Sequence, residues 1–422
     1  MTGYLNRRNR ARATQFPVVW SAEVPYAWPD TAIECYTPSS VVPQDPRTPP
    51  CAEKWVPNLG HTIAEPPHNP SLPSTGPWQV GEQILPVLLL GGPARRALGL
   101  DCAWEVLAAF RRSLYCLSAQ GSVVCIGPPS LGPGPLSILA DLPPDLDWRG
   151  RGIRPGTPAH WDGVALRLAP GLVFSCAAAR PWQPAAPSGP WDVAVFSANV
   201  QTLAAEVRRR AQQDGLAPLI PALLFGGPFS PHGHRLAREL SQIAAPVVQD
   251  LRTWLESVMP LGSSLAPPPA SVARLIGLGP GLTPSGDDLL GGMMIALRSL
   301  GWPSVADAVG ASVLPLARSR THAISYAHLA CAAHGQGAGA VHDATVALCS
   351  PEDPRMQEHL DDLGCLGHSS GWDALAGVAL VARAACTARA GQTHRQRGEE
   401  GTLLMPASRL QDVGGVRHAD ES

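Results

Sequence analysis

The feature that most limits how this chain can fold is a change of period near residue 198. Before it, from about residue 80, short apolar runs are punctuated by Gly and Pro: Ile84 to Leu90, Ser113 to Ser118, Ser122 to Gly127, Gly163 to Leu168 and Leu172 to Cys176. The last two are separated by Ala169-Pro170-Gly171, a three-residue loop with Gly last, which suits a β-hairpin. After it, Val200, Leu203, Ala204, Val207 and Ala211 recur at the spacing of one helix face, and Leu236, Leu240, Ile243 and Val247 repeat the stripe. Pro267-Pro268-Pro269 interrupts the pattern before a second helical block that runs to about 390. These periods predict an α+β chain: a β-rich N-terminal domain over 79–197, a small barrel or sandwich, followed by a mainly helical C-terminal domain over 198–390.

The flanks read differently. Residues 1–78 hold fourteen prolines and no sustained period, so they cannot bury enough apolar surface to offset their ordering entropy and are expected to be largely disordered. The polar stretch from Gly391 predicts a disordered tail over 391–422. A length of 422 residues suits roughly two or three domains, and 45% hydrophobic residues suffice for sizeable cores.

Charge removes several functions. Lys54 is the only lysine among 32 basic residues, so past that point no ammonium can form a Schiff base, and a Walker-type phosphate loop lacks its lysine. Any bound anion must be held by arginine, hydroxyls, backbone N–H or metal. A net charge of −2 gives no footprint for nucleic acid or an anionic membrane. The ten cysteines never form a C-x-x-C pair, which points away from zinc knuckles and redox motifs and towards free thiols in a reducing compartment. Prolines and Glu23 break the stretch after the N-terminal arginines before a signal h-region forms, and no run of about 18 apolar residues occurs. A cytoplasmic location is expected.

The most informative segment is Leu275-Ile276-Gly277-Leu278-Gly279-Pro280-Gly281-Leu282-Thr283-Pro284-Ser285-Gly286-Asp287-Asp288, running directly into the apolar residues from Leu289. Glycines let backbone come close to a ligand. Thr283 before Pro284 fits an N-cap with Pro at the first helical position, and Ser285 with Asp288 fits a capping box; either starts a helix here. The resulting free N–H groups make an anion site. Asp287 and Asp288 would stabilise the helix dipole by about 0.3–1 kcal/mol each. In a functional role, one of them could hold Mg²⁺ or act as a base on a substrate nitrogen.

Two more constellations follow. Arg318-Ser319-Arg320-Thr321, with Ser325 beyond, places two guanidinium groups and hydroxyls before a helix beginning near His322, either a clamp for phosphate or carboxylate or a solvated helix start. Gly367-His368-Ser369-Ser370-Gly371-Trp372-Asp373 offers a second capping box, Ser370 with Asp373, beside His368, which is either a capping residue or a catalyst. Three helix starts carrying hydroxyl and ionisable groups suggest one convergent site. His232-Gly233-His234 lacks nearby metal partners and reads as a loop, and His322, His328 and His334, six apart, do not share a helix face.

In order and spacing, the Gly277–Asp288 string, Arg320-Thr321 with Ser325, and Gly367–Asp373 resemble the bacterial family of the oxamate carbamoyltransferase subunit AllH. The resemblance covers about residues 80–385 and is strongest over 270–380. Leu289 stands where the family usually has an aromatic residue, and His322 where small residues are common. The resemblance implies a subunit of a hetero-oligomeric carbamoyltransferase in anaerobic allantoin breakdown, moving a carbamoyl group between phosphate and oxamate, beside partners like acyl-CoA synthetase subunits. On that reading Gly279, Gly281, Thr283 and Ser285 donate to a phosphate or oxyanion, with Thr321 and Ser370 among the binding hydroxyls. Asp287 or Asp288 binds metal or takes a proton from the amide nitrogen, Arg318 and Arg320 neutralise charge, and His368 shuttles a proton. Mg²⁺ is the cofactor considered, and no membrane or nucleic acid is expected as partner. The competing reading is a non-catalytic scaffold or regulatory subunit of an acyl-CoA-synthetase-like complex; a nucleotide-dependent kinase is weaker, given the missing lysine.

Overall fold

The computed structural model describes residues 82–403 apart from 144, 145, 188, 211, 230–232, 262–265 and 352–354, with side chains described to Arg389. Ala211, His232, residues 1–78 and the end of the tail, all read above from sequence, lie outside the described residues. Between 83 and 182 the chain forms β1 (Gln83–Gly91), helix α1 (Gly92–Leu100), β2 (Ala103–Ala109), β3 (Leu114–Ser118), β4 (Val123–Gly127), β5 (Ser137–Ala140), β6 (Pro158–Trp161), β7 (Ala165–Leu168), β8 (Leu172–Ser175) and β9 (Arg180–Trp182). Strand order is β5-β4-β3-β2-β6-β7-β8-β1, and β1 also pairs antiparallel with β5, which closes an eight-stranded barrel. Of the two expected β architectures, the barrel is the one formed. β9 continues along the edge of β1 where β8 leaves off.

The hairpin expected at Ala169-Pro170-Gly171 joins β7 to β8, with Leu168 opposite Leu172. Alternation drives closure: Leu85 and Val87 of β1 point inward while Ile84 and Leu88 are exposed. Val106, Leu114, Ile126, Ile138, Leu166 and Phe174 fill the interior from the other strands. Strands β2, β5, β6 and β9 were not anticipated. β6 (Pro-Ala-His-Trp) and β9 (Arg-Pro-Trp) are short and carry too little apolar alternation to announce themselves.

The helical half comprises α2 (Val193–Arg210), α3 (Ile220–Phe225), α4 (Arg235–Val258), α5 (Ser285–Ser299), α6 (Pro303–Arg320), α7 (Ala323–Ala333), α8 (Gly339–Ala347), α9 (Met356–Gly364) and α10 (Ser370–Leu403). Helix α2 buries Val200, Leu203, Ala204 and Val207 as its stripe implies. Helix α4 corrects the second stripe: its inner face is Ala237, Leu240, Ala244, Val247, Val248 and Leu251, while Leu236 and Ile243 are exposed. The buried face follows the i, i+3, i+4, i+7 series from Ala237 through Leu240, Ser241 and Ala244 rather than the one from Leu236. Helix α10 runs to Leu403, past the boundary expected at 390.

Helices α5 and α10 form the centre of this half, and their backbones touch. A Cβ on Gly292 would lie 2.0 Å from the carbonyl oxygen of Ala374, and one on Gly377 would lie 2.0 Å from that of Leu289. This contact brings the N-terminal ends of the two helices together. Barrel and helical half meet through a small apolar cluster of Val123, Leu136 and Ile324, and the Gly339 N–H donates to the Pro133 carbonyl at 2.7 Å.

Candidate functional site

The Gly-rich string forms the turn that delivers α5. Gly277 has φ +75°, and a Cβ there would lie 2.4 Å from the Arg320 carbonyl oxygen, so the position takes no side chain. Its N–H donates to Asp287 Oδ1 at 2.8 Å. The helix starts at Ser285 with Pro284 as N-cap and no side-chain cap, so neither expected capping arrangement forms. The hydroxyls are taken by other helices instead. Thr283 Oγ1 lies 2.9 Å from Ser370 Oγ at the start of α10, and Ser285 bonds Asp373.

Asp287 ties in the third helix start. It is buried, and its Oδ2 accepts from Ser325 Oγ at 2.6 Å and from Thr321 Oγ1, which flank the N-terminus of α7. With Gly277 on Oδ1, this carboxylate has three donors from three segments. Asp373, fully buried, does the equivalent for α10: it accepts from the Leu216 N–H at 2.5 Å and from Ser369 Oγ at 2.9 Å. The expected box with Ser370 is thereby corrected by one residue, Ser370 being engaged by Thr283.

A cavity of about 320 Å³ opens where these helix starts face the barrel. Thr283, Asp287, Asp288, Ser325, His328 and Ser370 line it from the helical side. Tyr115 of β3 and Cys125 of β4, which face each other in the ladder, line it from the barrel together with the segment 131–137. Burial pushes the Asp288 carboxyl well above the usual carboxylate range, with the Asp373 charge adding to the effect against hydrogen bonds from Ser370 and Thr283. Asp288 Oδ2 is buried without a hydrogen-bond partner. Burial also raises Asp373 to about 6 and lowers His328 to about 4. Tyr115 is raised well above its ordinary value by Cys125 and by burial, and burial pushes the Cys125 thiol up to about 12.

The remaining sequence candidates sit elsewhere. Gly279 and Gly281 belong to the turn before α5 and lie outside the cavity wall, Gly281 exposed. Ser285 and Thr321 lie behind the wall, bonded to Asp373 and Asp287. The structure does not bring Arg318 or Arg320 to the cavity: both are exposed at the end of α6, Arg318 beside the Tyr326 ring and Arg320 donating to the Ala273 carbonyl at 3.4 Å. Their position follows from α6, whose last turn directs them to solvent while its backbone covers Gly277. His368 is exposed and absent from the wall as well. No lysine or arginine is among the lining residues described. No group of three or more His, Cys, Asp and Glu among the described residues is arranged to hold a metal, and none of their helices is long and apolar enough to cross a membrane.

Sequence reading missed Tyr115, Cys125 and His328. A signal existed for His328, because Ser325 and His328 stand three apart on one helix face. The two barrel residues had none, since only strand register and the meeting of the two halves place them here.

Residues 275–382 match the family described as oxamate carbamoyltransferase subunit AllH, and over that segment the chain is AllH-like. The match spans about a quarter of the chain and contains all three helix starts, α5, α7 and α10, whereas the barrel lies outside it. No curated protein and no solved structure matches the chain.

Proposed function

We propose that this chain is a carbamoyltransferase subunit whose cavity holds the small acyl-amide anion of the reaction, oxamate or its carbamoylated form oxalurate. The observation that carries the reading is the bonding of Thr283 to Ser370 and of Asp287 to Thr321 and Ser325, which gathers three helix starts of the AllH-like segment around one cavity. Helix N-termini attract a carboxylate, and a space of about 320 Å³ suits a ligand of a few heavy atoms. In the cleavage direction phosphate attacks the carbamoyl carbon of oxalurate, the carbon–nitrogen bond breaks, and the amide nitrogen takes up a proton. We assign that proton to Asp288, a carboxyl that lines the cavity. Among the described lining residues no arginine is offered to the phosphate, which favours action beside partner subunits over action alone.

Phosphate-dependent cleavage of oxalurate, followed as carbamoyl phosphate formation by the chain with its partner subunits, tests the reading. Asp288→Ala is expected to lower turnover by about 10²-fold or more while leaving the complex assembled. Full turnover by that variant, or loss of assembly instead of turnover, favours the scaffold reading.

A further inference from the structure

We propose that Asp288 rests as an uncharged carboxylic acid and presents its O–H as a hydrogen-bond donor to a carbonyl oxygen of the ligand, so that the cavity selects small monoanions carrying an amide or ureide group. The inference rests on the substrate reading above for the identity of the ligand and on this chain's geometry for the state of the acid. Asp288 Oδ2 is buried, has no donor within reach and belongs to a residue that lines the cavity. An ionised oxygen left so is strongly disfavoured by desolvation, whereas a protonated one needs only an acceptor, which a ligand would provide.

The titratable groups facing Asp288 point the same way. Asp287 on its own helix and Asp373 on α10 add negative charge. His328 on α7 is held neutral by burial, with its value lowered to about 4. Tyr115 and Cys125 on the barrel are raised and therefore uncharged at neutral pH. The Thr283–Ser370 hydroxyl pair, hydrogen-bonded to each other, acts the other way by donating to the carboxyl, and burial outweighs it; no guanidinium or ammonium is among the described lining residues. A second carboxylate on the ligand would meet that negative field, whereas an amide carbonyl meets a donor.

Infrared difference spectra of the full chain, wild type minus Asp288→Asn at pH 8, test the acid without any ligand. At that pH Asp373 is ionised, so the protonated-carboxyl stretch should appear for Asp288; carboxylate bands in its place overturn the inference and leave the substrate reading standing. Calorimetry with oxamate gives the second test. Asp288→Asn keeps a donor and should bind within about threefold of wild type, while Asp288→Ala, which also folds without new bulk, should bind about tenfold more weakly. Equal losses in both variants overturn the donor role. An acid band with no oxamate or oxalurate binding to wild type overturns the ligand assignment instead.

Discussion

The barrel and the helical half build their cores by opposite means. The barrel closes by backbone pairing of β1 with both β5 and β8, and fills its interior with large side chains such as Phe174 and Trp148, whose rings lie 6.4 Å apart. The helical half closes by removing side chains, so that Gly292 and Gly377 let α5 and α10 touch backbone to backbone. A core made of bulk fails when bulk is taken away; a core made of contact fails when bulk is added.

That contrast can be broken at both ends. Phe174→Ala should destabilise by about 4 kcal/mol, the cost of a large cavity in a closed interior. Hydrogen exchange should show the loss first in strands 83–182, and protection lost first in α5 and α10 would deny that the two cores are separate. Gly377→Ala adds one methyl. Helix propensity alone would make it stabilising by about 1 kcal/mol, yet its Cβ would lie 2.0 Å from the Leu289 carbonyl oxygen and 2.5 Å from the Met293 nitrogen. The expected outcome in urea unfolding is therefore a loss of about 3 kcal/mol, and a gain would mean the crossing can relax.

Asp373 sharpens the comparison through pH, since it anchors α10 from inside the helical half. Its value is raised from 3.8 to about 6 by burial, so the folded chain holds more protons than the unfolded one between those values. Its contribution is present in full below pH 3.8 and is lost as pH rises through 6, up to about 3 kcal/mol. Asp373→Asn should flatten that part of the stability profile, measured as urea midpoints at pH 4 and pH 7; an unchanged slope would exclude Asp373 as its source. The smallest effect is expected at Arg318→Ala and Arg320→Ala. Both side chains are exposed and outside the cavity, so stability should change by less than about 0.5 kcal/mol and oxamate binding should not change.

Much of the site was readable along the chain because it lies at helix starts, where hydroxyls, carboxylates and glycines cluster for local reasons. Thr283, Asp287, Asp288, Ser325 and Ser370 line the cavity from three such motifs. The local rule nonetheless misassigned their bonds. Capping boxes are expected at the starts of α5 and α10, but Thr283 reaches Ser370 and Ser285 reaches Asp373, because at a helix crossing a neighbouring hydroxyl or carboxylate competes with the local N–H. The arginines were readable as charge but not as position, for the direction of the last turn of α6 depends on what α6 packs against.

By itself the sequence determined the two halves, the hairpin at Ala169-Pro170-Gly171 and the three helix starts, since period, turn chemistry and helix breakers act over a few residues. Only the tertiary structure decided that β1 closes the barrel against β5, that α5 and α10 meet at glycines, and that Tyr115, Cys125 and His328 complete the cavity. It also left Asp287 with three donors and the Oδ2 of its neighbour Asp288 with none. Two adjacent carboxylates of the same type acquire different chemistry because burial and hydrogen bonding are set by partners distant in the chain, which no local pattern encodes.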